Sequence, residues 1–308
     1  MPSESAKGKI LVIRGGAIGD FILTLPVFSA LREMFPKTEI HVLGYPKVTE
    51  VALYYGLVDD TRSIESRELA GFFARRATLN PEWIRYFESF SIIVSYLFDP
   101  DGIFQENIRS CGKFQFVQGP HRPDESHGVA ASEVFLKPLQ RLAIFGASPL
   151  PRLNLKKMAK QGENTLAIHP GSGSERKNWP EQQWAELIRN LVATTTHRFL
   201  LIGGEAEGQK LERLADHIGR DRVQLLFNKP LVEVTRQLAA SQAFVGHDSG
   251  ISHIAAAVGM PGLLLWGDSN LQIWRPPGPN IQILHARHGL DKLPVAEVLD
   301  AIAKLPLP

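Results

Sequence analysis

The most constraining feature of the sequence is a repeated unit of three parts: an apolar run, a polar or glycine-rich loop, and a segment with helical apolar spacing. The first example is the run Lys9–Arg14, KILVIR, which is followed directly by Gly15 and Gly16. A run without polar alternation is typical of a parallel strand that is buried on both faces. Because such strands alternate with helices in both halves, the sequence predicts an α/β protein with two open, doubly wound parallel sheets.

A linker is predicted near the middle of the chain. The chain has 308 residues, a length that fits two domains of ordinary size. Residues 149–164 carry two prolines and weak periodicity, so we predict a Rossmann-like domain at 1–150 and a second at 151–308. Ligands of such sheets bind beyond the carboxyl ends of the strands, and we expect the two domains to face each other across a cleft.

The bounds of three predicted helices depend on how their prolines and the spacing of their apolar residues are interpreted. Residues 66–88 are predicted to be helical, and residues 127–145 to form a long amphipathic helix unless Pro138 breaks it. The helix after the first strand is predicted to begin just before Pro26, or at Phe21 with a kink at that proline.

Composition excludes several classes of function. The formal net charge is only +2 and no run of Lys or Arg occurs, so nucleic-acid binding is not expected. The single cysteine, Cys111, cannot form an internal disulfide or a thiolate metal cluster, and it favours a reducing, cytoplasmic setting. The polar first residues, MPSESAKGK, are not expected to be a signal peptide, and no apolar run approaches the roughly 20 residues that span a bilayer. Contact with a membrane surface stays compatible with this composition.

The stretch 246–261, GHDSGISHIAAAVGMP, has the pattern of a strand end, a turn of small residues and a tightly packed helix. The first turn of a helix has unpaired N–H groups and the positive end of the helix dipole, so it favours an anion. We therefore predict that the helix start at Ser249 and Gly250 holds the diphosphate of a nucleotide-activated sugar. The alternative is that Asp248 or Ser249 only caps a core helix.

Two further loops of the second half have suitable chemistry for the same ligand. The loop 171–180 combines small residues with Ser172 and Lys177, which could bind a departing diphosphate, although it lacks the G-K-[ST] ending of a P-loop. A solvated surface loop is the alternative. Glu205 and Glu207 follow a Gly-Gly turn and could accept hydrogen bonds from ribose hydroxyls, or only supply negative charge at a helix start.

The histidines near the helix start are weaker candidates. His247, Asp248 and His253 are close in sequence, but no further ligand or nucleophile follows at a standard spacing, so no metal site is predicted. His253 lies about one helical turn beyond Ser249, where it could orient that serine, line the cleft or belong to the core.

The loop after the first strand offers a carboxylate beside flexible backbone. Gly16 and Gly19 allow a second substrate to approach closely, and Asp20 could act as a general base on a hydroxyl. The glycine spacing is not G-x-G-x-x-G, so a nicotinamide cofactor is not indicated. Asp20 could instead be a plain helix N-cap, and a helix start would in any case lower its basicity.

Four motifs together resemble glycosyltransferase family nine, the ADP-heptose:lipopolysaccharide heptosyltransferases. They are residues 10–33, 169–180, the Gly-Gly turn with its following acids at 203–207, and 246–267, in the family's order and spacing over nearly the whole chain. The chain departs from the family's usual pattern at His247, at Ile251 and at Asp268-Ser269.

The resemblance implies the GT-B architecture, with the acceptor bound by the first domain and the nucleotide sugar by the second. It implies an inverting transfer that needs no metal or other cofactor. It also implies the roles of single residues. These are Asp20 as general base, Lys177 and Ser172 at the diphosphate, Glu207 at the ribose, and Asp248, Ser249, Gly250 and His253 around the donor.

The predicted function is therefore transfer of a sugar, heptose by resemblance, from a nucleotide diphosphate donor such as ADP-heptose. The acceptor would be a hydroxyl of the lipopolysaccharide core or another cell-envelope glycan or glycolipid, reached from the cytoplasm with peripheral contact at the inner membrane. Arg109 could line an anionic acceptor site or be a surface charge. A sugar-nucleotide epimerase of similar fold and a catalytically silent nucleotide-sugar-binding protein are the alternatives.

Overall fold

The computed structural model describes residues 8–155, 164–205 and 207–305. The chain divides between Pro149 and Leu150 into two compact units, each with its own parallel sheet. The strands of the first unit are β1 (Lys9–Arg14), β2 (Glu39–Gly44), β3 (Asp60–Ser63), β4 (Phe90–Ser95) and β5 (Gln115–Gln118). Those of the second are β6 (Thr165–His169), β7 (Arg198–Gly203), β8 (Val223–Phe227), β9 (Ala243–His247), β10 (Gly262–Trp266) and β11 (Ile281–His285).

Helices connect the strands in both units. The helices of the first unit are α1 (Ile18–Ile22), α2 (Leu25–Met34), α3 (Pro46–Tyr54), α4 (Pro81–Glu88), α5 (Ile103–Arg109) and α6 (Ala131–Leu136). Those of the second are α7 (Glu181–Thr194), α8 (Gly208–Ala215), α9 (Leu231–Ala240), α10 (Gly250–Ala257), α11 (Leu271–Trp274) and α12 (Val295–Ala303). Among the described residues, none of these helices is both long enough and apolar enough to cross a membrane.

The first sheet has the strand order β3-β2-β1-β4-β5, with every pairing parallel. Leu11, Val12 and Ile13 of the central strand are completely buried, as the unbroken apolar run predicts. The strand order reverses direction between β1 and β4, so the loop after β1 lies at the switch point where ligands of open α/β sheets bind.

The second sheet has the order β11-β10-β9-β6-β7-β8, again all parallel. Counted within the unit, this is the 3-2-1-4-5-6 order of dinucleotide-binding folds. Helix α7 covers one face with Trp184, Leu187, Ile188 and Leu191, which recur at helical spacing and are buried. Two parallel sheets with helical connections confirm the predicted fold class. In the second sheet, the parallel order β9-β6-β7 places the carboxyl ends of these three strands side by side.

The segment 127–145 is not one long helix, because it is interrupted at Pro138, as the alternative interpretation allowed. Helix α6 ends at Leu136, and Pro138 lies in a 3₁₀ segment, Lys137–Leu142, that continues from it. A proline lacks the N–H that an α-helix needs at an interior position, so the chain tightens and then turns at Ala143.

The segment 66–88 is only partly helical. Arg67–Phe73 is a 3₁₀ helix, and α4 starts separately at Pro81. The Asn80 side chain accepts hydrogen bonds from the N–H groups of Glu82 and Trp83, so a side-chain cap and a first-position proline fix the start of α4.

The helix after β1 is two helices rather than one kinked helix. Helix α1 ends at Ile22, and α2 begins at Leu25 with Pro26 as its second residue, where a missing N–H costs nothing. The Thr24 hydroxyl donates to the carbonyl oxygen of Asp20 at 2.8 Å, which ties the junction together. In the predicted linker 149–164, residues 156–163 lie outside the described residues.

Candidate functional site

The predicted donor residues follow three neighbouring strands of the second sheet. The loop after β9 carries Asp248 and Ser249, the loop after β6 carries Ser172 and Lys177, and the turn after β7 leads to Glu207. Because β6 pairs with both β9 and β7, these loops leave the same edge of the sheet next to one another. The reversal of strand order lies between β6 and β9, which makes this edge the expected ligand site.

An ion pair joins the first two loops. The Lys177 ammonium lies 2.6 Å from Asp248 Oδ2, although the residues are 71 positions apart in the chain. The Lys177 side chain is 36% exposed and the Asp248 side chain 11% exposed, so the cation faces solvent while its partner is largely covered. The carboxylate therefore holds the ammonium at the start of α10 and leaves it accessible to a second anion.

The start of α10 has the geometry of a capped helix. Ser249 is the N-cap: its backbone is extended, and its Oγ accepts a hydrogen bond from the N–H of Ser252 at 3.3 Å. Gly250 is the first helical residue, so its amide belongs to the turn that has no acceptor within the helix. Ser249 thus caps the helix, as the alternative interpretation held, whereas the Asp248 carboxylate pairs with Lys177 instead.

The loop between β6 and α7 is fixed by its own polar groups. Ser172 Oγ lies 2.7 Å from Asn178 Oδ1 and 2.8 Å from the carbonyl oxygen of Ser174. A short 3₁₀ turn, Glu175–Lys177, then presents Lys177. Ser172 therefore shapes the loop through its own hydrogen bonds. Residues 173–176 are exposed, so the surface-loop alternative stays open.

Glu207 is buried against the same loop. It is the residue before α8, it is 9% exposed, and its Oε2 accepts a hydrogen bond from the N–H of Gly204 at 2.7 Å. A Cβ atom placed on Gly171 would lie 2.0 Å from Glu207 Oε1, so the missing side chain of that glycine makes room for the carboxylate. Glu205 is exposed by contrast, which separates the two acidic candidates.

Lys210 was missed by the sequence analysis and lies beside Glu207. Its Nζ donates to the carbonyl oxygen of Pro170 at 3.2 Å. Burial lowers the pKa of Lys210, and the carboxylates of Glu181 and Glu207 oppose that shift. The sequence could have indicated Lys210 by its position three residues after Glu207. About one helical turn separates the two residues, which brings their side chains to the same side at the start of α8.

A cleft opens next to these residues. Its volume is about 640 Å³, and Arg213 pairs with Glu181 at its wall through two contacts of 2.6 and 2.8 Å. The polar lining combines carboxylates, cations and an amide. The side chains at the cleft include Asn178, Trp179, Glu181, Glu207, Lys210 and Arg213.

His253 is 5% exposed, and its backbone N–H donates to the carbonyl oxygen of Ser249 at 3.3 Å. It therefore belongs to the packed first turns of α10. Within the described parts of the chain, no three His, Cys, Asp or Glu residues form a group that could hold a metal ion.

Asp20 lies at the switch point of the first sheet. It is the third residue of α1, and its Oδ2 accepts a hydrogen bond from the N–H of Ala17 at 3.0 Å. Its Oδ1 lies 3.5 Å from the guanidinium of Arg14, and the Asp20 side chain is 22% exposed. The N-cap residue is Ala17, so Asp20 supports the helix start from within α1 rather than as the N-cap.

Arg14 was also missed by the sequence analysis, because it looked like the end of an apolar strand. It is 2% exposed, donates to the carbonyl oxygen of His121 at 2.8 Å, and lies 4.3 Å from the centre of the Phe135 ring. Burial lowers the pKa of the Arg14 guanidinium, whereas the Asp20 carboxylate raises it. The Asp20 carboxylate is thus oriented by a buried cation.

The acceptor-side candidates have different surroundings. Gly16 has φ +103°, and a Cβ there would lie 3.0 Å from Asp20 Oδ2, so a glycine is required next to the carboxylate. Gly19 lies inside α1. Arg109 is exposed at the end of α5, with its guanidinium 5.5 Å from the centre of the Phe116 ring.

Comparison with known proteins gives one family match and several named relatives. The family described as Glycosyltransferase family 9 (heptosyltransferase) matches residues 143–297. Lipopolysaccharide heptosyltransferase 1 of Escherichia coli K12 is 30% identical in an alignment of 142 positions that covers 43% of this chain and 44% of that protein. The matched stretch is therefore less than half of either protein. Lipopolysaccharide heptosyltransferase 3 of Escherichia coli is 25% identical in an alignment of 332 positions, gaps included, that covers 93% of this chain and 96% of that protein.

Solved structures share the fold over almost the full length. The structure of Escherichia coli heptosyltransferase WaaC with ADP is similar with a TM-score of 0.75 at 18% identity, covering 96% of this chain and 99% of that one. At this identity the likeness concerns the arrangement of helices and strands.

Proposed function

The chain belongs to glycosyltransferase family 9 and is a glycosyltransferase of the GT-B fold, and from this premise we propose its donor, acceptor and reaction. The donor is a nucleotide diphosphate sugar, ADP-heptose, and the acceptor is a hydroxyl of the lipopolysaccharide core or a related cell-envelope glycolipid. Relatives named as lipopolysaccharide heptosyltransferases support the sugar and the acceptor. The heptosyltransferase of similar fold that was solved with ADP supports the nucleotide.

The observation that carries the proposal is the 2.6 Å ion pair of Lys177 and Asp248 at the start of α10. A diphosphate placed there meets the Lys177 ammonium and the first-turn amides that follow Ser249. Both are donors fixed before the ligand arrives, and each well-aimed donor of this kind contributes about 3–4 kcal/mol to a transition state. The charge that grows on the departing diphosphate is thereby stabilised by the protein. We therefore propose a reaction without metal or other cofactor.

We propose that the nucleoside binds at the neighbouring loop and cleft. Glu207 has one oxygen committed to the Gly204 N–H, which leaves the other available to ribose hydroxyls. The adjacent cleft of about 640 Å³ falls within the range of roughly 300–1,000 Å³ that holds small ligands.

Asp20 is the proposed general base. Its carboxylate takes the proton of the acceptor hydroxyl as that oxygen attacks the anomeric carbon from the side opposite the diphosphate, so the configuration inverts. Arg14 and the Ala17 N–H hold the carboxylate in one orientation. A base held in one orientation meets the geometric requirement of general-base catalysis. We propose that Gly16 and Gly19, which lack side chains, let the acceptor approach Asp20. We also propose that Arg109 contacts an anionic group of the acceptor. We place the reaction in the cytoplasm, at the membrane surface that carries the glycolipid.

The test is a transfer assay with matched omissions. The purified protein is incubated with ADP-heptose and a heptose-deficient core glycolipid, and the linkage of the product is determined by NMR. We expect a product of inverted anomeric configuration and no conversion of the donor when the acceptor is left out. Conversion of the donor alone would indicate the epimerase alternative, and ADP binding without transfer or hydrolysis would indicate the silent binding protein.

A further inference from the structure

His247 is the last residue of β9 and has no exposed surface. Its ring packs edge to face on Trp184 of α7, with ring centres 5.4 Å apart. A buried imidazole is costly unless its nitrogens have hydrogen-bond partners, so the partners indicate why it is there.

The two ring nitrogens bond to the two ends of a single loop. The N–H of Trp179 donates to His247 Nε2 at 2.8 Å, so that nitrogen carries no proton. The proton is then on Nδ1, which lies 3.4 Å from the carbonyl oxygen of Gly171. Burial, aided by the charges of His169 and Lys210, lowers the pKa of His247 to about 3. The imidazole is therefore neutral and held in one tautomer.

The same residue is connected to the start of α10. Its own carbonyl oxygen accepts a hydrogen bond from the Ser252 hydroxyl, and Asp248 follows it directly in the chain. The loop bonded to its ring presents Lys177, the partner of Asp248. His247 thus bonds to the loop that presents Lys177 and to the first turn of α10, the two elements of the proposed diphosphate site. Its ring is fully buried.

We propose that His247 is a positioning residue for the nucleotide diphosphate donor. By binding both ends of the segment Gly171–Trp179 it fixes the Lys177 ammonium relative to the α10 start. The segment needs such support, because Gly173 at φ +74° is one of its two glycines and glycine gives the backbone wide freedom. Small displacements of groups that orient a substrate are costly to the rate. This inference rests on the proposed role of Lys177.

Two conservative variants separate the two hydrogen bonds. In His247→Gln the amide oxygen can occupy the place of Nε2 and accept from the Trp179 N–H. In His247→Asn the shorter amide can replace only Nδ1 and leaves the Trp179 N–H without an acceptor. We expect His247→Gln to keep the Kd for ADP and the KM for the donor within about threefold. We expect His247→Asn to weaken both about tenfold or more, with the acceptor KM unchanged.

A double-mutant cycle with Lys177→Ala distinguishes the possible failures. If Lys177→Ala leaves ADP affinity unchanged in calorimetry, the proposed site itself is wrong. If Lys177→Ala weakens ADP binding but folded His247→Asn binds like the wild type, the positioning role is wrong. If His247 acts through the loop, His247→Asn adds little to Lys177→Ala, whereas full additivity would contradict the proposal.

A spectroscopic measurement on the unsubstituted protein covers the case in which His247→Asn does not fold. Nitrogen-15 NMR with labelled histidine should show His247 neutral at pH 5, with Nδ1 protonated and Nε2 bare. His247→Gln assigns the resonance by its disappearance. A doubly protonated ring at pH 5, or the opposite tautomer, would overturn the inference.

Discussion

Replacing Gly171 with alanine tests the proposed role of Glu207 by displacing its carboxylate without changing the Glu207 side chain itself. The new Cβ would lie 2.0 Å from Glu207 Oε1, 2.4 Å from its Cδ and 2.6 Å from its Cγ. These distances are far below van der Waals contact, so the carboxylate has to leave its position. Movement of the Glu207 side chain breaks the 2.7 Å hydrogen bond to the Gly204 N–H.

The size of the effect follows from that displacement. A hydrogen bond to a charged group contributes about 1.5–3 kcal/mol, and the displaced carboxylate would lose its bond to the ribose as well. Since about 1.4 kcal/mol corresponds to a tenfold change in affinity, Gly171→Ala should weaken ADP binding about 10- to 100-fold. The crowding itself should cost about 1–3 kcal/mol of stability.

Calorimetry with two ligands separates the ribose contact from the diphosphate contact. Gly171→Ala should bind ADP weakly but bind inorganic pyrophosphate, which has no ribose, almost as well as the wild type. Gly204→Ala is the matched control: its Cβ would lie 3.6 Å from Glu207 Oε2, an ordinary contact, so its effect should be much smaller. If Gly171→Ala binds ADP within twofold of the wild type, Glu207 does not contact the ribose as proposed.

Three further predictions concern the base, the cation and pH. Asp20→Asn should keep ADP affinity in calorimetry but lower kcat about 10²- to 10⁴-fold, and an active variant would remove Asp20 as the base. Lys177→Ala should bind ADP about tenfold or more weakly, because it deletes the ammonium at the diphosphate; thermal shifts across a panel of nucleoside diphosphates would show the same loss. For His247, the folded pKa of about 3 lies below the ordinary 6.5, so the unfolded chain takes up a proton first as the pH falls. The free energy of unfolding should therefore drop by about 2 kcal/mol from this residue between pH 7.5 and 5. Urea titrations at the two pH values check this, and His247→Gln should show a correspondingly smaller drop.

The fold class could be predicted from the sequence because it depends on local patterns. The unbroken apolar run of β1 and the helical spacing of α7 each reflect burial of a single element. Alternation of such elements leaves few architectures open, and a doubly wound α/β sheet is one of them. Helix bounds were less certain: Pro138 interrupts the segment 127–145, and the Asn80 cap starts α4 separately within 66–88, where the apolar spacing predicted one continuous helix.

The loops that carry the candidate site could also be located from the sequence. Small residues and charged side chains after buried strands mark the carboxyl edge of a sheet. The sequence does not specify which loops are neighbours, because strand order is set by packing between segments far apart in the chain. The parallel pairing of β6 with both β9 and β7 is what brings Lys177, Asp248 and Glu207 to one edge.

The sequence by itself thus determined the kind of fold, the loops of the candidate site and the residue types for which we propose diphosphate binding. The tertiary structure decided which of these residues meet, such as Lys177 with Asp248 across 71 positions and the His247 ring with both ends of the loop. It also showed that Gly171 leaves the space that Glu207 occupies and that Arg14 is a buried partner of Asp20. The physical reason is that periodicity reports the environment of one element, whereas hydrogen bonds and ion pairs between loops depend on distances that only the assembled sheet fixes.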